Sequence, residues 1–388
     1  MIQELATRID EKRGELESWF EKRFGDSLPP VYSSVDLRNA GFKISVVDTN
    51  LFPAGFNNLC ETFSEKASAA FKEFFQKNYP AHQKILLIPE EHTRNLFYLK
   101  NIEALKEILT KADLEVHVGS PLQTADFSPD LILINNDLSA GFPEYLRGLS
   151  QPILPSPHLG WHRRRKSDHF ALYIQLMREA AAILDIDPWL LYPLTQVETG
   201  IDLTDAGCLK RLQESADRLL LQIRQKYLEH GISREPYLFM KDNAGTYGLG
   251  MMTVRSGHEL LALGRRVRNK LEFAKGGRRV SEYLLQEGIP TADLYKGKAL
   301  EPVVYLVGGK MVGTFFRIHG EKGEMESLNS PGMTFSCLCF HKVRPPTRSF
   351  DLTYERKEEL FVVAKFLGQV ASLAAALESE FHRKEKAA

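Results

Sequence analysis

Apolar residues recur at helical spacing over the first stretch of the chain and predict one amphipathic helix over 2–24, ending before Gly25 and the Pro29-Pro30 pair. The period then changes. Lys43-Ile-Ser-Val-Val-Asp48 has the β-branched texture of a short strand, followed by a loop rich in Asn, Gly and Pro. Phe63, Ala67, Phe71 and Phe75 mark one face of a helix over about 58–77. Strands predicted over 84–89, 114–118 and 130–135 then alternate with a helix over 95–111. The apolar runs Ile85-Leu-Leu-Ile88 and Leu131-Ile-Leu-Ile134 suit strands covered on both faces, so this region reads as α/β with a small parallel sheet.

Gln151-Pro-Ile-Leu-Pro-Ser-Pro157 is rich in proline and marks a boundary. Long helices are predicted over 166–184 and about 209–230. From Tyr237 the texture shifts to short strands, over 237–241, 248–254, 283–287, 303–307 and 310–318. Gly308-Gly309 between the last two is a two-residue hairpin signal. A helix over about 353–380 with an Ala/Leu-rich face closes the chain, and no internal repeat or low-complexity tract occurs.

A length of 388 residues suggests two or three domains. Lys+Arg and Asp+Glu each number 50, so no basic excess demands a nucleic-acid partner. The local run Trp161-His-Arg-Arg-Arg-Lys166 still suits a small phosphate ligand. Cys60, Cys208, Cys337 and Cys339 match no zinc spacing and read as reduced, partly buried thiols. The N-terminus lacks the apolar segment of a signal peptide, and no window of about 18 apolar residues stands out. A cytoplasmic location with no membrane partner is therefore expected, and the oligomeric state, including a homo-oligomer, stays open.

Candidate chemistry gathers where strands end in polar residues, because ligands of open α/β sheets sit beyond the carboxyl ends of strands. Asp48-Thr-Asn50, Glu90-Glu-His-Thr-Arg-Asn95 and Asn135-Asn-Asp137 all occupy such ends. The sharpest motif is Lys241-Asp-Asn-Ala-Gly-Thr-Tyr-Gly-Leu-Gly250, in which a strand ends in lysine, a Gly-rich loop follows, and a second strand begins. Gly245, Gly248 and Gly250 lack Cβ atoms, so backbone N–H groups can close on phosphate oxygens while the lysine adds a point charge. It is not a P-loop, because the G-K-[ST] ending is missing, nor a Rossmann turn, because a strand follows where a helix is needed. A bare Gly-rich hairpin remains the bland alternative.

Downstream stand Tyr283-Leu-Leu-Gln-Glu-Gly-Ile-Pro290 and Glu301-Pro-Val-Val-Tyr-Leu-Val-Gly-Gly-Lys-Met-Val-Gly-Thr-Phe-Phe-Arg317. With these the chain resembles the ATP-grasp superfamily, with a layout similar to glutathione synthetase and D-alanine–D-alanine ligase. Through Val47-Asp-Thr-Asn-Leu-Phe-Pro-Ala-Gly-Phe-Asn-Asn58 and the Lys241 loop, the whole chain resembles the proteobacterial glutamate–cysteine ligase family of ATP-grasp type. The resemblance implies an α/β fold, α+β in the ATP-binding part. Residues 1–155 would form an N-terminal substrate-binding domain with a small parallel sheet. Residues 156–388 would form the ATP-grasp domain, with a lid over about 205–285 and a C-terminal helix.

It also implies roles. Lys166 and Lys241 would grip ATP phosphates, with Gly245, Thr246, Tyr247 and Gly248 as the covering loop. Gln286, Glu287 and Ile289 would form the adenine hinge, the Glu287 carboxylate accepting from the base's amino group. Arg317 would stabilise charge developing on an acyl phosphate. Magnesium would be held by Glu326 and Asn329, although Asn329 is displaced by one residue from the family's E-x-N pair. A second alignment makes 324–334 a loop near the peptide substrate instead. Asp48, Asn50, Asn57 and Arg94 suit an amino acid's ammonium and carboxylate groups. The implied reaction joins the γ-carboxylate of glutamate to the amine of cysteine through an acyl phosphate, with ATP and Mg2+. Another ATP-grasp amino-acid ligase, a non-catalytic nucleotide-binding protein and a helical interaction module are the alternatives.

Overall fold

The computed structural model describes residues 1–25, 27–91, 95–121, 127–245, 250–273, 277–337 and 357–387. Its strands are β1 (Tyr32–Asn39), β2 (Ile44–Asn50), β3 (Lys84–Ile88), β4 (Glu115–Val118), β5 (Leu131–Ile134), β6 (Ile153–Leu154) and β7 (Thr195–Glu198) in the first half. They continue with β8 (Leu238–Asp242), β9 (Met252–Val254), β10 (Tyr283–Glu287), β11 (Leu294–Tyr295), β12 (Lys298–Val307), β13 (Lys310–His319) and β14 (Met333–Cys337). The helices are α1 (Ile2–Glu11), α2 (Arg13–Phe24), α3 (Glu61–Asn78), α4 (Leu96–Lys111), α5 (Lys166–Leu184), α6 (Ala206–Glu229), α7 (His258–Leu261), α8 (Arg265–Glu272) and α9 (Lys357–Ala387).

Among the described residues, three sheets organise these elements. The expected parallel sheet runs β4-β3-β5-β6, every neighbouring pair parallel. A second sheet, β7-β10-β8-β9, is antiparallel and carries α6 on one side, where Leu212, Leu219 and Ile223 meet Leu238, Met240 and Leu285. The third, β14-β13-β12-β1-β2 with β11 beside β12, is also antiparallel and draws strands from both ends of the chain. One of its faces buries Val35, Val46, Val304 and Leu306 against Phe170, Met177, Leu367 and Ala371 of α5 and α9. The mixed α/β architecture is the expected one.

Local outcomes differ from the predicted elements in instructive ways. The first helix is two, α1 and α2, which meet at Lys12. The predicted strand at 43–48 lies in the antiparallel sheet rather than the parallel one, paired with β1. Gly308 and Gly309 do turn β12 into β13, with φ of 56° and 77°, a left-handed pair that glycine adopts without strain. The segment Glu358–Glu380 is long and apolar enough to cross a membrane, which corrects the expectation of no such window; it is mostly buried inside the fold, as a core helix is. Cys208 and Cys337 are free thiols, but Cys60 is disulfide-bonded, which corrects the expectation of reduced cysteines throughout. The end of β14 lies against Cys60, close enough for the Cys337 thiol to bond its backbone.

Candidate active site

The face of the β14-β13-β12-β1-β2 sheet turned away from α5 and α9 carries a polar stripe. Strand alternation sends Val35 and Leu37 into the core and leaves Asp36 and Arg38 facing outward. In register beside them stand Asp48 opposite Asp36, and Arg317 opposite Glu301. Two cavities open on this stripe and share Asp36, Asp48 and Asn329. The first is also lined by Lys166, Lys241, Gly245 and the apolar Phe239 and Met251. The second is lined by Asn50, Asp137, Trp161, Tyr305, Arg317 and Phe335, among others.

The two lysines come together because the turn after Lys241 holds the start of α5. Asn243 accepts the Lys166 amide at its carbonyl, 2.8 Å, and the Ser167 amide at its side-chain oxygen, 2.9 Å. Lys166 Nζ donates to Asp48, and Lys241 Nζ donates to Val47 O at 3.2 Å and Gln286 Oε1 at 2.6 Å. Burial lowers the Lys241 ammonium to about 8, against the pull of Asp48. Burial pushes Asp48 the other way, but Lys166, Lys241 and Arg164 outweigh it and hold the carboxyl at about 2. Two lysines thus flank one carboxylate at the cavity wall, the carboxylate bonded to Lys166 and drawn down by both.

The Gly-rich turn begins in a tight space. A Cβ at Gly245 would stand 2.8 Å from the Asp242 Cβ, so glycine is required there. Asp242 accepts from the Ala244 amide at 2.9 Å and from Arg278. Thr246, Tyr247 and Gly248, and likewise Arg94, lie outside the described residues.

Gln286 and Glu287 separate onto opposite faces of β10. Gln286 is fully buried beside Lys241, and among the described residues its Nε2 meets no hydrogen-bond acceptor. The Glu287 carboxylate points to the other side, where Oε2 accepts from Lys43 at 2.7 Å, Trp189 Nε1 at 3.2 Å and the Leu194 amide at 2.9 Å. The expected contact of that carboxylate with adenine is therefore replaced by an internal ion pair. Ile289 is buried and gives its carbonyl to Arg38, 3.1 Å.

Arg317 bridges two carboxylates, gripping Asp36 through Nη1 and Nη2 at 2.8 and 3.2 Å and reaching Glu301 through Nη1. Arg38 takes the second Glu301 oxygen at 3.0 Å. Burial raises Asp36 above its usual range despite Arg317, whereas for Glu301 the two arginines overcome burial and lower it. No local motif in the sequence marks Asp36, Arg38 or Glu301 as site residues. The alternation Val35-Asp36-Leu37-Arg38 and a charged residue inside an apolar strand at Glu301 were the available signals.

Of the remaining sequence candidates, Asn50 lines the second cavity, with its Oδ1 accepting the Phe52 amide at 2.9 Å. Asn57 sits on the 3-10 turn Phe56–Asn58 beside the cavity-lining loop. The magnesium pair does not fit. Asn329 lines both cavities, but Glu326 accepts from Lys322 and the Gly323 amide, both at 2.9 Å, on the surface. Asp36, Asp48 and Glu301 are each engaged by Lys or Arg, and no group of three or more His, Cys, Asp or Glu side chains among the described residues is placed to hold a metal.

No curated protein matches the chain. Among solved structures, a protein assigned as gamma-glutamylcysteine synthetase from Methylobacillus flagellatus KT is 36% identical, with a TM-score of 0.86, over 97% of this chain and 96% of that one. A glutathione synthetase-like effector from Globodera pallida shares 10% identity over 81% of this chain and 76% of its own, at a TM-score of 0.33. D-alanyl-alanine synthetase A from Vibrio cholerae O1 shares 12% over 74% and 80%, also at 0.33. The family model for glutamate-cysteine ligase matches residues 6–124 and 119–379. Nearly the whole chain is covered by that match and by the Methylobacillus structure, and the chain belongs to the glutamate-cysteine ligase family.

Proposed function

We propose that this ligase uses ATP to join the γ-carboxylate of L-glutamate to the amine of L-cysteine through a γ-glutamyl phosphate, releasing γ-glutamylcysteine, ADP and phosphate. One observation carries the reading: a cavity lined by two lysines and Gly245 adjoins a second cavity with polar and aromatic walls, the two sharing Asp36, Asp48 and Asn329. A carboxylate is a poor acyl donor, so phosphorylation supplies the leaving group, and the amine then displaces phosphate. Each half-reaction needs its reactants held at one junction with the developing charge neutralised.

The residues divide accordingly. Lys166 and Lys241 hold the nucleotide's phosphates, and Phe239 and Met251 offer apolar surface to the base. Gln286 Nε2, which meets no acceptor among the described residues, supplies a donor nearby. Arg317, fixed by Asp36 and Glu301, faces the second cavity as a preorganised cation beside the transferring group. Asp48 and Asn50 meet the amino acids. The reaction needs only small-molecule partners and suits a cytoplasmic enzyme.

The test is ADP release by the purified protein over a panel of amino-acid pairs, with Lys241→Ala beside the wild type. Stimulation by glutamate plus cysteine, lost in Lys241→Ala with the unfolding transition retained, is expected. Stimulation by another pair alone, or near-normal turnover in Lys241→Ala, overturns the reading.

A further inference from the structure

Asn101 is a polar residue on the apolar face of α4, 1% exposed among Tyr98, Ile102 and Leu105. Asn135 follows β5 and is 2% exposed. Buried side-chain amides must place every donor and acceptor, and these two do so as one relay. Asn101 Oδ1 accepts from the amides of Gly55, 2.7 Å, and Phe56, 3.0 Å. Its Nδ2 donates to Asn135 Oδ1 at 3.0 Å, and Asn135 Nδ2 donates to the Pro53 carbonyl at 2.9 Å. The orientation is forced at both ends: two N–H groups meet Asn101, and a carbonyl meets Asn135. Turning either amide over would set donor against donor or acceptor against acceptor.

The relay ends on the walls of the second cavity. Phe52 and Ala54, either side of Pro53, line it. So do Asp137, two residues past Asn135, and Trp161, whose amide donates to the Asp137 carbonyl at 3.0 Å. Tyr98 Oη fixes the Asn135 backbone by donating to its carbonyl at 2.7 Å. Neither asparagine lines the lysine-bearing cavity.

We propose that Asn101 and Asn135 are positioning residues for amino-acid binding: they hang two walls of the second cavity from the parallel-sheet region and leave nucleotide binding untouched. The proposal rests on the reading of that cavity as the amino-acid site. Neither asparagine lines either of the two cavities, so their effect is exerted through residues 52–56 and 137.

The experiment is steady-state kinetics on full-length Asn101→Ala, each substrate varied in turn, with thermal unfolding recorded in parallel. Ser68→Ala is the control, because the Ser68 hydroxyl donates to Ile108 O at 2.9 Å across the same α3–α4 contact and reaches no cavity loop. Asn101→Ala is expected to raise KM for at least one amino acid about tenfold, the scale of a lost buried hydrogen-bond relay, with KM for ATP unchanged. Ser68→Ala is expected to lower the unfolding temperature with no change in any KM. Should Asn101→Ala fail to fold, Asn101→Ser, a smaller neutral side chain that cannot span both the Gly55–Phe56 amides and Asn135, is assayed in the same way and judged by the same KM comparison. Equal rises in KM for ATP and the amino acids, or unchanged KM with lowered stability, overturn the proposal. The wild type is assayed first: stimulation only by a pair other than glutamate and cysteine refutes the functional reading, and the KM comparison is then made with that pair.

Discussion

Lys241 faces Asp48 and Val47 of β2, Gln286 of β10, Lys166 of α5, and Asp36 and Arg38 of β1. Its ammonium sits at about 8 rather than its ordinary 10.5 because burial is only partly offset by Asp48. The sign for stability follows: between about 8 and 10.5 the unfolded chain binds the proton that the folded one releases, so this residue favours folding more as pH rises. Phosphate binding needs the opposite state. kcat/KM for ATP is therefore expected to fall as pH rises through about 8, and Lys241→Arg, which stays charged, should flatten that limb even if its overall rate drops. A wild-type profile level from pH 7 to 10 would refute the role of Lys241. Lys241 and Lys166 were legible in the sequence because they border a glycine run and a basic run. Asp36, Arg38 and Glu301 were not, since a charged residue in a strand acquires meaning only when its cross-strand partners are known.

Among the elements, β10 shows how a motif can be located correctly and its side chain misjudged. Both β10 (Tyr283–Glu287) and α5 (Lys166–Leu184) have the predicted bounds. Alternation along β10 nonetheless turns Glu287 toward Lys43, which is 0% exposed and lies 4.0 Å from the Trp189 ring centroid. Glu287→Gln leaves that ammonium buried without its counter-charge, and a loss of about 3–5 kcal/mol is expected by chemical denaturation. Adding Lys43→Met should recover most of it, because Gln still accepts from Trp189 and Leu194. A Glu287→Gln variant as stable as the wild type would refute this account. β1 escaped prediction for a related reason: Ser33, Ser34, Asp36, Arg38 and Asn39 give it a polar composition, yet all but Asp36 are less than a tenth exposed, because β1 is an inner strand between β12 and β2, with helices packed on one face and the cavities on the other. Parallel strands announce themselves by apolar runs. A strand that floors a polar site does not.

At the scale of the molecule, the C-terminal helix is joined to the site through Glu378, which no local pattern indicated. Arg164 Nε and Nη2 donate to its two oxygens at 2.8 and 3.2 Å, while Nη1 donates to the Thr49 carbonyl at 2.6 Å. His169 lies between the same partners, with Nδ1 3.2 Å from Glu378 and Nε2 2.9 Å from the Thr49 hydroxyl. α9 therefore fixes the residue next to Asp48 from across the fold. Burial raises Glu378, but Arg164 and His169 outweigh it and hold the carboxyl at about 2 against an ordinary 4.5. A displacement of that size contributes about 3 kcal/mol. For a depressed acid this stability is present above the unfolded value and is lost as pH falls from about 4.5 toward 2. Burial also lowers His169, so acid opposes the folded state there as well. Glu378→Gln is expected to lower stability at pH 7, where Arg164 loses its counter-charge, and to make the decline between pH 5 and 3 shallower than in the wild type. Its KM values should rise too, because Thr49 carries Asp48 into both cavities. Parallel acid limbs in the two proteins, measured by denaturant midpoints at each pH, would show that the joint between α9 and β2 does not depend on this carboxylate.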